Sequence, residues 1–219
     1  MKKALLVLTL LFMILINCTV SFAFQNEPDG FRNLKFGMSI KQVEEVVGKD
    51  ALERISRYDA KDKKDTVNQA YLLKLNPPMI SNLKTDKQAE IHFFKDQLMS
   101  VSILLHGDKN KYLPRELIDK YNTLYKNMKL LYGMPSKIWN FSSIWEGVNT
   151  TVGISCTYNE KNMNYIDEES FKKLNEREKE AFRNKVAIAI SSNELSKAQV
   201  SYSFEEFKKD EMKKASQGW

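Results

Sequence analysis

The sequence predicts an α+β protein made of two tandem helix-plus-antiparallel-sheet repeats, with the helices packed on one face of the sheet. Each half of the chain has an amphipathic helical pattern that ends at a glycine, Gly48 in the first half and Gly133 in the second. Each pattern is followed by a strand-like region and then by two alternating segments typical of a β-hairpin, at residues 89–105 and 186–204. The same order of elements occurs twice, which favours a duplicated unit.

Residues 1–23 have the pattern of an export signal. Lys2 and Lys3 precede an apolar run over residues 4–16, which is shorter than the roughly 20 residues of a membrane-spanning helix. The segment Ser21-Phe22-Ala23 offers small residues at the two positions that signal peptidase recognises, which predicts cleavage after Ala23. Retention of the segment as an anchor is the alternative. The sequence therefore predicts an exported protein of the periplasm or cell envelope.

The two cysteines have different surroundings. Asn17 stands where a lipid-anchor signal carries Gly or Ala, so the sequence argues against a lipid anchor at Cys18. Loss of residues 1–23 leaves one cysteine, Cys156, which excludes an internal disulfide in the mature chain. Cys156 alternates with Val152 and Ile154, so we expect a buried, inert thiol.

The charge of the chain is mildly basic. It has 34 basic and 28 acidic residues, a net charge of +6, and two of the lysines lie in the export signal. Bases and acids are interleaved elsewhere, as in residues 61–65, which is typical of a solvated surface and leaves peripheral contact with an anionic membrane open. No basic stripe carries stacking aromatics, so the composition argues against nucleic-acid binding.

The first repeat is expected over residues 24–107. Ser39 stands at a helix N-cap, Gln42 can complete a capping box, and Gly48 ends the helix. A strand follows at residues 66–75. The clearest strand signal is a hairpin whose arms, residues 89–94 and 98–105, flank a three-residue turn.

The second repeat is expected over residues 108–219. Pro114 opens the longest helix, over residues 114–132. Strands should follow at residues 137–145 and 149–158, then a charged helical insertion at about 160–184 with a surface helix near 167–183. A second hairpin, formed by residues 186–190 and 197–204, should close the repeat, and the polar tail from Glu205 is a candidate frayed helix.

The segment Gly37-Met38-Ser39, followed by Val43, Val47 and Gly48, resembles a short element of bacterial envelope proteins of the SmpA/OmlA type. It is also similar to the repeats of the β-lactamase-inhibitor-protein fold, and Leu131-Tyr132-Gly133-Met134-Pro135 resembles the end of the same element. The resemblance implies helices packed on one face of an antiparallel sheet. It also implies protein–protein contact in the envelope without catalysis.

Three aromatic residues form the candidate binding site. Alternation places Trp139, Phe141 and, with a bulge, Trp145 on one face of a strand. This face could be a concave binding surface, or it could be core covered by the long helix. Packing is the favoured alternative because large aromatic residues most often supply buried area. Of the two tryptophans, Trp139 is expected to be the buried one because it is nearer to the helix in sequence.

The sequence carries no recognisable catalytic set. His92 and His106 could pair with Cys156 as an imidazole and thiol, but no spacing requires it. Two histidines without clustered acids fall short of a metal site, and no phosphate-binding loop is present. We therefore expect no enzyme activity, no metal and no cofactor.

The most consistent function is that of an exported, non-enzymatic protein-binding or assembly component of the bacterial cell envelope. Its partner would be an envelope protein, and the sequence leaves the oligomeric state open. The alternatives are a periplasmic small-ligand or lipid-binding protein that uses the sheet face, and an uncharacterised hydrolase.

Overall fold

A computed structural model describes residues 26–55, 66–80, 82–106, 114–139, 141–157, 173 and 185–217. The predicted export signal therefore lies outside the described residues. So does the charged insertion at about 160–184, apart from the helical residue Lys173.

Within these ranges the chain forms mainly short strands. They are β1 (Gly30–Phe31), β2 (Leu34–Lys35), β3 (Leu52–Arg54), β4 (Asn68–Lys74), β5 (Met79–Ile80), β6 (Leu83–Lys84), β7 (Gln88–Phe94), β8 (Gln97–His106), β9 (Lys137–Trp139), β10 (Ser142–Glu146), β11 (Thr150–Thr157) and β12 (Lys185–Ser192). The helices are α1 (Ile40–Val47), α2 (Pro114–Tyr132) and α3 (Asn193–Gln217), with a short 3-10 helix at Lys49–Ala51.

One antiparallel sheet of eight strands organises the described part of the chain. Its strand order is β3-β4-β7-β8-β12-β11-β10-β9. The strands β1 and β2 form a separate two-stranded ribbon, as do β5 and β6. The sheet therefore has two end strands, β3 and β9, and within the described residues each pairs with a neighbour on one side only.

The two faces of the sheet differ in burial. On the core face, one row across five adjacent strands is apolar and buried; it consists of Leu73, Ala89, Ile103, Ile188 and Ile154. On the second face, the neighbouring row is partly or fully exposed; it consists of Leu72, Glu90, Ser102, Ala189 and Gly153. The helix α2 covers the core face with Leu117, Leu124 and Met128, which are buried in the same cluster.

The prediction of two tandem repeats is wrong. The strand β8 pairs with β12 from Ser100↔Ser191 to His106↔Lys185, so both halves of the chain share one continuous sheet. The predicted second hairpin does not form, because residues 197–204 belong to α3. The alternation of Ala198, Val200, Tyr202 and Phe204 is typical of a strand, but the residues that follow are mostly good helix formers and extend α3 through this segment.

The expectation that the helices share one face of the sheet is also wrong. Phe94 alternates with Glu90 and His92 on the second face, and the ring of Tyr202 in α3 lies 5.8 Å from the ring of Phe94 in an edge contact. The helix α3 therefore packs on the face opposite to α2.

The local predictions for the first half are confirmed. The Oγ of Ser39 accepts a hydrogen bond from the Gln42 N–H at 3.2 Å, and the Gln42 Oε1 accepts one from the Ser39 N–H at 2.8 Å. Gly48 ends α1 with φ of 86°, a conformation that favours glycine. The predicted hairpin forms as β7 and β8.

Candidate binding surface

The end strand β9 follows α2 after a tight turn. Gly133 has φ of 83°, and its carbonyl accepts a hydrogen bond of 3.0 Å from Nε1 of Trp145. The Ser136 N–H donates to the Ile144 carbonyl at 2.7 Å, and the Ser136 Oγ accepts from the Glu146 N–H at 3.0 Å. These bonds fix where β9 begins, so β9 is held on a rigid turn.

The exposed side chains of β9 are large and apolar. Ile138 and Trp139 are each 56% exposed. They form one wall of an open groove of about 340 Å³ between α2 and the end of the sheet. We call it the aromatic groove; it is lined by Tyr121, Asn122, Tyr125, Ile138, Trp139, Phe141 and Ser143.

The side chains at the floor of the aromatic groove are held in place by a hydrogen bond and by ring contacts. The Tyr121 hydroxyl and the Ser143 Oγ share a buried hydrogen bond of 2.8 Å. Burial raises the pKa of the Tyr121 hydroxyl above its ordinary value of 10.0, although the bond to Ser143 acts in the opposite direction. The Tyr121 ring stacks on Tyr125 and meets Phe141 edge-on, with centroid distances of 6.4 and 6.0 Å. The groove is therefore preformed and its floor is uncharged at neutral pH.

The three aromatic residues singled out in the sequence have different positions. Trp145 is fully buried on the core face, where its ring contacts those of Tyr125 and Tyr132. Phe141 is half-buried and forms part of the groove, whereas Trp139 is exposed at the rim. The expectation that Trp139 is the buried tryptophan is wrong, because Trp145 fills the space under α2.

The single strand expected at residues 137–145 is two strands. Phe141 has φ of 51° and turns the chain between β9 and β10. Sequence reasoning also missed Ile138, Tyr121 and Tyr125 as parts of a surface groove. The tyrosines have the four-residue spacing of a buried helical face, so their pattern alone indicates core.

Exposed lysines lie close to the aromatic groove in the sequence. Residues 121–145 contain Lys126, Lys129 and Lys137 and no acidic residue. The Nζ of Lys137 forms a salt bridge of 2.6 Å with Oε1 of Glu146, so the charge of this lysine is neutralised. Lys126 and Lys129 are exposed on α2, each one helical turn after a groove residue. The exposed acid on this side is Asp119, one turn before Asn122.

A second concavity lies on the second face of the sheet, with a volume of about 700 Å³. Its walls carry charges of both signs, and it is lined by Leu72, Thr85, Asp86, Lys87, Gln88, Glu90, Ser102, Leu104 and Lys185. On the same face, Nε2 of His92 lies 3.0 Å from Oε1 of Glu90.

The structure does not bring Cys156 and His92 together. Cys156 is 8% exposed on the core face, whereas His92 lies on the second face. Burial raises the pKa of the Cys156 thiol above its ordinary value of 9.0, which lowers its reactivity. The side chain of His106 lies outside the described set. No cluster of three or more potential metal ligands occurs in the described ranges.

No helix among the residues that the structure describes is long and apolar enough to span a membrane.

These observations define a mostly antiparallel β-sheet protein, whose described residues form one eight-stranded main sheet with helices packed on it and an aromatic groove at one end of that sheet. The chain belongs to the TP0088 domain family, whose model matches residues 29–177. No curated protein matches the chain, and no solved structure matches it. The family match does not link the chain to SmpA/OmlA-type proteins or to the β-lactamase-inhibitor-protein fold, so that resemblance stays an expectation from the short motif.

Proposed function

We propose that the protein is an exported, non-enzymatic protein-binding or assembly component of the bacterial cell envelope, and that the aromatic groove and β9 form its contact surface. The observation that carries this proposal is the joint exposure of Ile138 and Trp139 beside a preformed groove. Tryptophan and tyrosine are enriched among the residues that dominate the energy of protein interfaces. Exposed apolar patches rimmed by polar residues commonly mark such interfaces.

The shape of the groove supports a binding role over a purely structural one. Tyr121 and Phe141 are held by ring contacts and by the bond to Ser143, so a partner would meet a rigid surface. Little ordering of these side chains is then needed on binding, which favours affinity. Trp139, in contrast, leaves more than half of its surface uncovered by the described residues, and this is area that a partner would bury.

Photocrosslinking from the surface tests this proposal. A photoreactive benzoylphenylalanine at position 139, introduced into the full chain in the native host, should capture a defined envelope protein. The matched control places the same residue at position 84, an exposed site in β6. Capture of the same products from both positions, or of none from position 139, would contradict the proposed surface. Recovery of the protein only from the cytoplasm would contradict export.

The concavity on the second face favours one other function, that of a small-ligand or lipid-binding protein. Its volume of about 700 Å³ falls within the usual range of ligand sites. A thermal-shift screen against envelope lipids tests it with a Ser102→Trp variant, which places a bulky side chain in the concavity and obstructs part of it. The control is Ser155→Trp, on the same face but outside the lining residues. Ligand stabilisation that survives in the control and disappears in Ser102→Trp supports this alternative.

A further inference from the structure

We propose that the partner contributes an extended segment that adds to β9 as a further strand. The segment would place an apolar side chain in the aromatic groove and acidic side chains beside Lys126 and Lys129. This inference rests on the proposed function, because it names the class of partner that the same surface takes.

The backbone of β9 supplies the first part of the argument. Its residues pair with β10 through Lys137↔Ile144, Ile138↔Ser143 and Trp139↔Ser142, and no strand pairs with its other side in the part of the chain that the structure describes. An end strand offers unpaired N–H and C=O groups, and an extended peptide satisfies them by joining the sheet.

The opposite end of the sheet provides an internal comparison. The end strand β3 is also three residues long, but its exposed side chain is Glu53 and the next residue is Arg54. Charged side chains are the usual protection of a sheet edge against unwanted pairing. The strand β9 has one such residue, Lys137, and then exposes Ile138 and Trp139. This difference is expected if the charged side chains of β3 prevent pairing with another strand and the apolar side chains of β9 allow it.

The groove beside β9 supplies side-chain recognition. In strand addition the backbone bonds give affinity, and pockets for alternate side chains give specificity. The aromatic groove has a volume of about 340 Å³. That is roughly ten times the volume of a water molecule in the liquid, so the groove admits a large apolar side chain.

The charges on α2 distinguish between two candidate partners, an acidic peptide segment and a second copy of β9. Lys126 lies four residues after Asn122, and Lys129 lies four residues after Tyr125, so each is one helical turn along the same side of α2 as a groove residue. A segment with acidic residues would therefore meet complementary charge. Self-pairing of β9 between two copies would repeat Lys126 and Lys129 along one seam. Like-charge repulsion argues against that occupant.

Selection from a phage library of random 12-residue peptides on the full chain tests the inference. We expect enriched sequences that alternate apolar and polar residues, carry an excess of Asp and Glu, and avoid proline. The double variant Lys126→Glu/Lys129→Glu should weaken the selected peptides by about ten-fold. The matched control Lys41→Glu/Lys49→Glu reverses two exposed lysines near α1 and should change binding less than about two-fold.

Hydrogen exchange reads out the backbone pairing. A selected peptide should increase the protection of amides in β9 and leave those of β3 unchanged. Peptides that lack acids, or that bind the Lys126/Lys129 variant as well as the parent, would overturn the charge argument. Binding without added protection in β9 would overturn strand addition. Added protection by vesicles of anionic lipid alone would assign the surface to a membrane.

The two proposals fail in different ways. If position 139 crosslinks a partner but the peptides leave β9 unprotected, the binding surface stands and strand addition fails. If position 139 captures nothing, the proposed function itself fails.

Discussion

Gln199 in α3 donates a hydrogen bond of 2.8 Å from its Nε2 to the Oδ1 of Asn68 in β4, although 131 residues separate them in the chain. Together with the contact between Tyr202 and Phe94, this bond ties α3 to the half of the sheet that comes first in sequence. The helix thus joins the two halves of the protein across the second face.

We expect Gln199→Ala to lower the free energy of unfolding by about 1 kcal/mol, because it removes a partly buried hydrogen bond and leaves the Asn68 amide with one partner fewer. Urea unfolding measures this. Ser203→Ala, an exposed change in the same helix, is the control. A double-mutant cycle with Asn68→Ala should show coupling between the two sites, and additive effects would contradict the bond.

Trp145 and Trp139 should respond oppositely to truncation. Trp145 is fully buried, so Trp145→Ala should lose about 3–5 kcal/mol of stability through lost transfer energy and a cavity. Trp139→Ala should change stability by about 0.5 kcal/mol or less, because that side chain is mostly exposed. Denaturant midpoints of the two variants test this. Equal midpoints would show that Trp139 is buried by something outside the described residues.

Ser39→Ala should destabilise the protein by about 1 kcal/mol, since the Ser39 Oγ accepts the N-cap hydrogen bond from Gln42. Ser39→Asp retains an acceptor at this position and should keep most of the stability. The thermal unfolding midpoint is the measurement. A midpoint unchanged in Ser39→Ala would mean that the capping box contributes nothing to the fold.

Stability should fall as the pH rises above about 9, in part because of Cys156. Burial raises the pKa of this thiol in the folded protein above the ordinary value of 9.0. Above 9.0 the unfolded chain releases the proton first, so it binds fewer protons than the folded protein and unfolding becomes more favourable. The protonated thiol of Cys156 makes its full contribution to the folding stability below pH 9.0. That contribution is lost as the pH rises from 9.0 through the pKa of the thiol in the folded protein.

The variant Cys156→Ala isolates this effect. Its stability, measured by urea unfolding between pH 8 and 10, should decline less steeply than that of the parent. The decline that remains should come from other groups, among them Tyr121 and Tyr132, whose pKa values burial also raises. Identical slopes in variant and parent would contradict burial of the thiol.

Local signals in the sequence were sufficient for the elements that depend on near neighbours. The capping box of Ser39 and Gln42 and the turn between β7 and β8 involve residues three or four apart, and both are confirmed. The pairing of β8 with β12 could not be predicted, because several strands share the same alternation and any of them could have been the neighbour.

The candidate surface was only partly predictable for the same reason. Trp139 and Phe141 stood out as aromatic residues, but whether they are exposed depends on which strand ends the sheet. The helical spacing of Tyr121 and Tyr125 predicts that their face of α2 is buried against the sheet. It does not show that part of this face lies beside the end strand β9 and lines an open groove. Exposure there follows from the strand order, which local patterns do not determine.

The position of β12 has a consequence for how the protein is made. Among the described residues it is the last strand in sequence, yet it lies between β8 and β11 in the interior of the sheet. Until residues 185–192 leave the ribosome, the earlier strands cannot assemble into the final sheet, and pairing across so many residues is intrinsically slow. For a chain exported as we propose, this delay would favour translocation, because the complete sheet cannot form before residues 185–192 are available. It would also expose the unpaired edges of β8 and β11 during that time and so depend on chaperones.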